Sequence, residues 1–146
     1  SGRTDLHRLI AMHAGATRHI TLEITEDMFI ARAGASIQAG ISGFRAAGLR
    51  VSLDDFGTGF ASFQHLRQLE FDELKIAPGF VADLGRDPVA DVLVRGFLDI
   101  ANGLQVDVIA EGVETEEQRR LLLQMGCTVA QGHLFGRAQP LAETRL

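Results

Sequence analysis

Two adjacent aspartates, Asp54 and Asp55, close the apolar run of "RVSLDDFGTGF", and Gly57 and Gly59 follow at once. Carboxylates about 4 Å apart repel by about 4 kcal/mol at an effective dielectric near 20, so such a pair calls for solvent, a raised pKa or a cation. Four more acids stand where apolar runs end: Glu23 and Glu26 in "HITLEITE", Glu111 and Glu114 in "QVDVIAEGVE". Lys75 lies within "ELKIA" and Gln131 within "TVAQGHLF". Hard oxygen donors without clustered His or Cys suit Mg²⁺ or Mn²⁺ rather than zinc. Taken singly, Asp55 or Glu114 reads as a helix cap, and Lys75 as a lysine laying its stem along apolar surface. Glu23 sits inside an apolar run, where an unpaired carboxylate is costly. Jointly these positions favour a site.

The elements that must position them are short strands alternating with helices. The expected strands are His19–Thr25, Arg50–Asp54, Glu73–Ala77, Gln105–Glu111 and Thr128–Phe135, near-continuous apolar runs of the kind covered on both faces. The expected helices are Thr4–Ala14, Ala35–Ala47 with Gly48 behind it, Asp87–Asn102 ending before Gly103, and a short one near Ser62–Gln68. In "TEEQRRLLLQMG", Thr115 and Gln118 have capping-box spacing and Gly126 is a stop signal. Asp87 followed by Pro88 is a start signal. Repeated β/α units imply a parallel sheet, and in a (β/α) barrel the active site forms at the carboxyl ends of the strands. A regular strand aims successive side chains at opposite faces, so Gly57 and Gly59 are expected to supply the backbone freedom that turns both aspartates one way.

Composition sets outer bounds. The chain has 146 residues, 46% apolar and 23% charged, enough for one domain or part of one. A formal net charge of −5 argues against nucleic acid as the partner. No apolar run reaches the length of a membrane span, and the single Cys127 suits a reducing cytoplasm and a small buried apolar role. "GTGFAS" has only two of the three glycines of a dinucleotide fingerprint. His7, His13, His19, His65 and His133 lack metal-ligand spacing and read as surface or structural residues. Phe60 and Phe63 read as packing residues.

The motifs "LEITE", "LDDFGTGFASF", "DELKI", "VIAEGVETEEQ" and "QGHLFGR" occur in the order and spacing of the EAL domain family, which the chain resembles over nearly its whole length. The resemblance implies an α/β fold, a TIM-type (β/α) barrel of which this chain would supply strands four to eight with their outer helices. It further implies a cytoplasmic domain that hydrolyses cyclic di-GMP to linear pGpG with Mg²⁺ or Mn²⁺ and is inhibited by Ca²⁺. By the same resemblance Glu23, Asp54, Asp55 and Glu111 would be metal ligands. Lys75 would orient the attacking water, with Asp55, Glu111 and Gln131 also at the reacting centre. Glu26 and Glu114 would support the site and the loop of Phe56, Gly57, Thr58 and Gly59. A homodimer and covalently attached sensory or diguanylate cyclase domains are expected partners, and a membrane tether is a further expectation for the full-length protein.

The resemblance begins at the helix before the fourth strand. Residues 1–146 are therefore expected to be a partial domain without its first three strands, and the isolated chain is expected to show no turnover. "KIAPGF" places Ala77 where active members usually carry aspartate. That departure motivates the rival reading, a catalytically impaired EAL domain acting as a cyclic di-GMP sensor or a dimerisation module. Ala138 replaces a common proline.

Overall fold

The structure, a computed structural model, describes residues 8, 12, 15, 17–31, 35–59 and 63–136, with the side chains of 29–31, 35–37 and 63–65 excepted. The helix expected over Thr4–Ala14, the packing roles of Phe60 and Phe63, and Ala138 therefore fall largely or wholly outside what is described. Two compact units divide the chain, residues 1–75 and 76–146.

In the first unit a 3₁₀ turn, Thr17–His19, precedes β1 (Thr21–Thr25), α1 (Glu26–Ala31), α2 (Ala35–Ala46), β2 (Arg50–Phe56), α3 (Phe63–Gln68) and β3 (Glu73–Ile76), whose last residue opens the second unit. Strand β1 pairs in parallel with β2, Thr21 opposite Arg50 through Thr25 opposite Asp54. Strand β3 lies on the other side of β2. These strands alternate rather than run apolar throughout. Ile24, Val51, Leu53 and Leu74 are buried, whereas Glu23, Ser52, Asp54, Glu73 and Lys75 share the opposite parity, and side chains of one parity share a face. Cover on both faces holds in β2 and β3, where Val51, Ser52, Leu53, Leu74 and Lys75 are all buried, but the near-continuous apolar character is corrected: one face is apolar and the other carries polar and ionisable groups.

Gly48, with φ +93°, ends α2. Its N–H reaches the Arg45 carbonyl at 2.9 Å, and the Leu49 N–H reaches Phe44 at 3.1 Å. This is the paired-bond cap that a left-handed glycine allows. Arg45 then ties α2 to the turn before β3. Its guanidinium donates to both Asp72 oxygens at 2.8 and 3.4 Å and to Glu70 at 3.2 Å, while the Val51 N–H donates to Asp72 Oδ2 at 2.8 Å. Burial works against the charged form of Asp72, but Arg45 and the Val51 N–H outweigh it and hold the carboxyl below its ordinary value of 3.8. A carboxyl lowered in the folded state contributes stability that is present above its unfolded pKa and is lost as pH falls through the folded one. Urea unfolding of wild type and Asp72→Asn should therefore differ clearly at pH 7 and converge toward pH 3. A gap that is unchanged at pH 3 would contradict this origin.

The second unit runs α4 (Pro78–Ala82), α5 (Pro88–Leu104), β4 (Asp107–Glu111), α6 (Glu116–Gln124) and β5 (Val129–Gln131). Its core joins Ile76, Val81, Val94, Leu98, Ala110, Val113, Leu122 and Cys127. Both expected caps form. Asp87 accepts from the Val89 N–H with Pro88 in the first turn, and Thr115 and Gln118 make the reciprocal capping box. Gly126, φ +91°, stops α6.

Element boundaries in this unit differ from expectation at α5, β4 and β5. Helix α5 continues through Gly103 to Leu104, and Gln105 takes the left-handed conformation at φ 58°. The Val106 N–H then caps the Ala101 carbonyl at 3.0 Å, so β4 starts at Asp107 and not at Gln105. Strand β5 is shorter than Thr128–Phe135, because Gly132–Phe135 form a turn closed by the Phe135 N–H on the Gly132 carbonyl. Cys127 precedes β5 rather than starting it. It is 4% exposed, and burial pushes its thiol above the ordinary range, in keeping with an inert apolar role.

Candidate functional site

In the first unit, Asp55 itself, not a glycine, breaks the strand's alternation. Its φ is 56°, the left-handed region that Asp tolerates better than most residues. The Asp55 N–H donates to Asp54 Oδ1 at 2.8 Å. Each of the two half-buried side chains offers a carboxylate oxygen within 4.8 Å of the other's. Such a backbone outlier, held by its surroundings, is a pointer to function. Gly57 has φ +89° and continues the turn, in which the Thr58 hydroxyl and N–H both donate to the Asp55 carbonyl, at 2.6 and 3.2 Å. Gly59 serves close approach instead of backbone freedom: a Cβ there would stand 3.2 Å from Glu26 Oε1 and 3.3 Å from Asp27 Oδ1. The expected role of Gly59 in turning the aspartates is thus replaced by a packing role.

Glu26 does not close β1; it opens α1. Thr25 caps that helix by accepting from the Met28 N–H at 3.3 Å, and Glu26 is only 2% exposed. Its Oε2 accepts from the Gly57 N–H at 2.8 Å and the Gly59 N–H at 3.2 Å. A buried carboxylate on two backbone donors makes strong, charge-assisted bonds, and here they fix the loop that follows the aspartates. Phe56, 6% exposed, is buried beneath that loop's start. Lys75, 7% exposed, donates to Glu23 Oε1, so the surface-lysine reading fails. On the same face the Ser52 hydroxyl donates to Glu73 Oε1 at 2.8 Å.

In the second unit, Glu111 ends β4 directly opposite Gln131, which ends β5. Both line an open pocket of about 390 Å³ together with Pro78, Gly112, Glu114, Gly132, His133 and Gly136. Val113, fully buried, staples the two loops: its N–H donates to the Gln131 carbonyl and its carbonyl accepts from the Leu134 N–H, both at 3.1 Å. Only glycine fits at position 132, because a Cβ would stand 2.3 Å from the Val113 carbonyl oxygen. The Glu114 N–H is held by Gln118 Oε1 at 2.9 Å.

The sequence model of the EAL domain matches residues 4–138. The chain belongs to the EAL domain family. This EAL chain is 38% identical over 136 residues to the bifunctional diguanylate cyclase/cyclic di-GMP phosphodiesterase MucR of Pseudomonas aeruginosa, covering 93% of the chain and 20% of MucR. It is 37% identical over 136 residues to the probable cyclic di-GMP phosphodiesterase PdeA of Escherichia coli, covering 93% and 18%. The PaMucR phosphodiesterase in complex with c-di-GMP superposes with a TM-score of 0.85 at 35% identity, over 94% of this chain and 55% of that one. The manganese/cy-diGMP complex of Klebsiella pneumoniae BlrP1 superposes with a TM-score of 0.82 at 27% identity, over 90% and 34%. The EAL chain thus spans about a fifth of the length of these curated relatives. Its fold is α/β, the TIM-type barrel class with parallel strands and outer helices.

Among the candidate residues, the structure brings Asp54 to Asp55, Glu23 to Lys75, Glu26 to Gly57 and Gly59, and Glu111 to Gln131 and Glu114. His133, read from the sequence as a surface or structural residue, is an exposed residue at the edge of this pocket.

Proposed function

We propose that the protein carrying this chain is a metal-dependent phosphodiesterase that hydrolyses cyclic di-GMP to linear pGpG. The observation that carries the reading is the left-handed backbone at Asp55, which sets two carboxylates side by side on a loop anchored by buried Glu26. An all-oxygen pair of this kind suits a hard divalent cation. Glu23, Asp54, Asp55 and Glu111 would hold Mg²⁺ or Mn²⁺, and Ca²⁺ is expected to bind without supporting turnover. The ion would supply charge neutralisation for the anionic diester and acidify a water nucleophile. Lys75, a buried ammonium paired with Glu23, brings a fixed positive charge to the polar face, where it would orient that water toward phosphorus. Asp55, Glu111 and the Gln131 amide would position it from their strand ends. Glu26 and Glu114 would keep the Phe56–Gly59 loop and the pocket in register.

The family relatives support this reading by what their names state of them, and they motivate a cyclase or sensory domain on the same polypeptide and a homodimer as partners. Among the described residues no helix is long and apolar enough to cross a membrane. We place this domain in the cytoplasm and propose a membrane tether elsewhere on the full-length protein. We also take residues 1–146 as the strand-four-to-eight part of the domain. Incubating the full-length protein with cyclic di-GMP and Mn²⁺ should yield pGpG, and chelation with EDTA should abolish it. A full-length protein that binds cyclic di-GMP yet never produces pGpG would reject the enzyme reading.

One observation favours a second reading in that event. Ala77, 3% exposed, sits at the N-cap of α4 with no side-chain cap, so no carboxylate is supplied two residues after Lys75. A catalytically impaired cyclic di-GMP sensor or dimerisation module would follow.

A further inference from the structure

On the polar face of the first unit, Lys75 pairs with the more distant of two carboxylates. Glu23 on β1 is the register partner of Ser52 on β2, and the Ser52 hydroxyl donates to Glu73 Oε1 on β3 at 2.8 Å. One row of side chains, Glu23, Ser52 and Glu73, thus crosses the three strands. Lys75 stands two residues beyond Glu73 on β3 and shares its face. At ordinary strand dimensions the Glu73 Cα is about 6.6 Å from that of Lys75, whereas Glu23 lies two strands across, at least about 9.6 Å away. The Lys75 ammonium nevertheless donates to Glu23 Oε1.

Attraction between charges falls with distance, and the flexible lysine stem can carry its ammonium to either acid. Ser52 takes Glu73 out of that competition. Its hydroxyl is 0% exposed, so it needs a partner, and its bond draws the half-buried Glu73 carboxylate toward β2 and away from the lysine on its own strand. Serine is also short, which leaves room above β2 for Lys75 to cross to β1. We propose that Ser52 is a positioning residue for Lys75: by holding Glu73, it keeps the ammonium on Glu23. The proposal rests on the phosphodiesterase reading of the preceding subsection, in which Lys75 orients the attacking water. It adds to that reading two residues, Ser52 and Glu73, which touch neither the ion nor the water.

The test uses the full-length protein with cyclic di-GMP and Mn²⁺. Ser52→Ala releases Glu73 to take Lys75, and kcat should fall about tenfold, the lower end of what loss of an orienting partner costs. KM should change by less than about threefold. Glu73→Gln keeps an acceptor for Ser52 and removes the competing charge, so alone it should leave kcat within about threefold of wild type. The double variant Ser52→Ala/Glu73→Gln should recover that level, because no charge remains on β3 to draw the lysine away. A merely structural role for the hydroxyl predicts no such rescue, since the buried site is disturbed as much in the double variant as in the single one. Crystal structures of the metal-free proteins give a second readout: the Lys75 ammonium should sit on Glu23 in wild type and on Glu73 in Ser52→Ala. Ser52→Ala with wild-type kcat, a double variant as slow as Ser52→Ala, or a lysine still on Glu23 in that single variant would each overturn the proposal while leaving the cyclic di-GMP reading intact. A wild type that forms no pGpG would instead overturn that reading, and this inference with it.

Discussion

Asp55→Asn in the full-length protein should lower the rate of pGpG formation more than a hundredfold while leaving the unfolding midpoint nearly unchanged. Loss of a partner that merely orients a metal ligand costs ten- to a hundredfold in affinity or activity, and removal of a shared ligand charge should cost more. Asparagine isolates that charge. It has the size of aspartate and shares its tolerance of the left-handed region, so the backbone at φ 56° should persist. Asp55→Ala makes the comparison decisive. It removes the same charge but also puts a side chain ill suited to that region there, at a further cost of about 1 kcal/mol in stability. Equal losses of turnover with a stability loss only in the alanine variant are expected. Asparagine activity within a few-fold of wild type would remove Asp55 from the reacting centre.

Glu26→Ala should be the most damaging change outside the acids that hold the ion. The side chain is 2% exposed and accepts from two loop N–H groups. Deleting it leaves those donors without their carboxylate and opens a hole beneath the loop. An unsatisfied buried donor costs about 1–3 kcal/mol, and water reaching exposed Gly57 and Gly59 recovers part of that, so a loss of about 2 kcal/mol is expected. Turnover should fall further than stability suggests, by about a hundredfold, because an ångström-scale displacement of positioned groups costs that much. Glu26→Gln retains an acceptor oxygen and should be intermediate in both respects. Paired urea melts and pGpG rates check the order wild type, Gln, Ala. A Glu26→Ala protein with native turnover would show that the loop does not need its anchor.

The caps were legible in the sequence because their signals are local. Asp87 with Pro88, Thr115 with Gln118, and the glycines at 48 and 126 each act through bonds within a few residues, so type and spacing suffice. Gln105 was not legible: Gly103 carries the stronger stop signal, but α5 must bring Val106 to the Ala101 carbonyl before β4 can begin, and a non-glycine residue absorbs the left-handed turn. Glu26 was misread for a different reason. Thr25 and Glu26 carry an N-cap and first-turn acid signal, which the preceding strand pattern concealed. The alternation of β1, β2 and β3 was visible in "TLEIT", "RVSLD" and "ELKI", and treating those runs as uniformly apolar hid the polar face that holds Glu23, Asp54 and Lys75.

Of the candidate site, the residue types were legible and the arrangement was not. Adjacent aspartates call for solvent, a raised pKa or a cation, but nothing in "LDDFG" indicates that Asp55 itself would take the strained conformation while Gly59 provides close approach to Glu26. The pairing of Lys75 with Glu23 and the nearness of His133 to Glu114 join residues 52 and 19 positions apart. Contacts at such separation are set by strand order and loop stapling, which no local pattern encodes.

Crystals of the full-length protein grown with Mn²⁺, measured where manganese scatters anomalously, test most directly whether these acids hold a divalent ion. The expected result is an anomalous peak coordinated by the carboxylates of Asp54 and Asp55, with Glu23 and Glu111 among its ligands. Manganese bound away from all four, or no peak at saturating Mn²⁺, would contradict it.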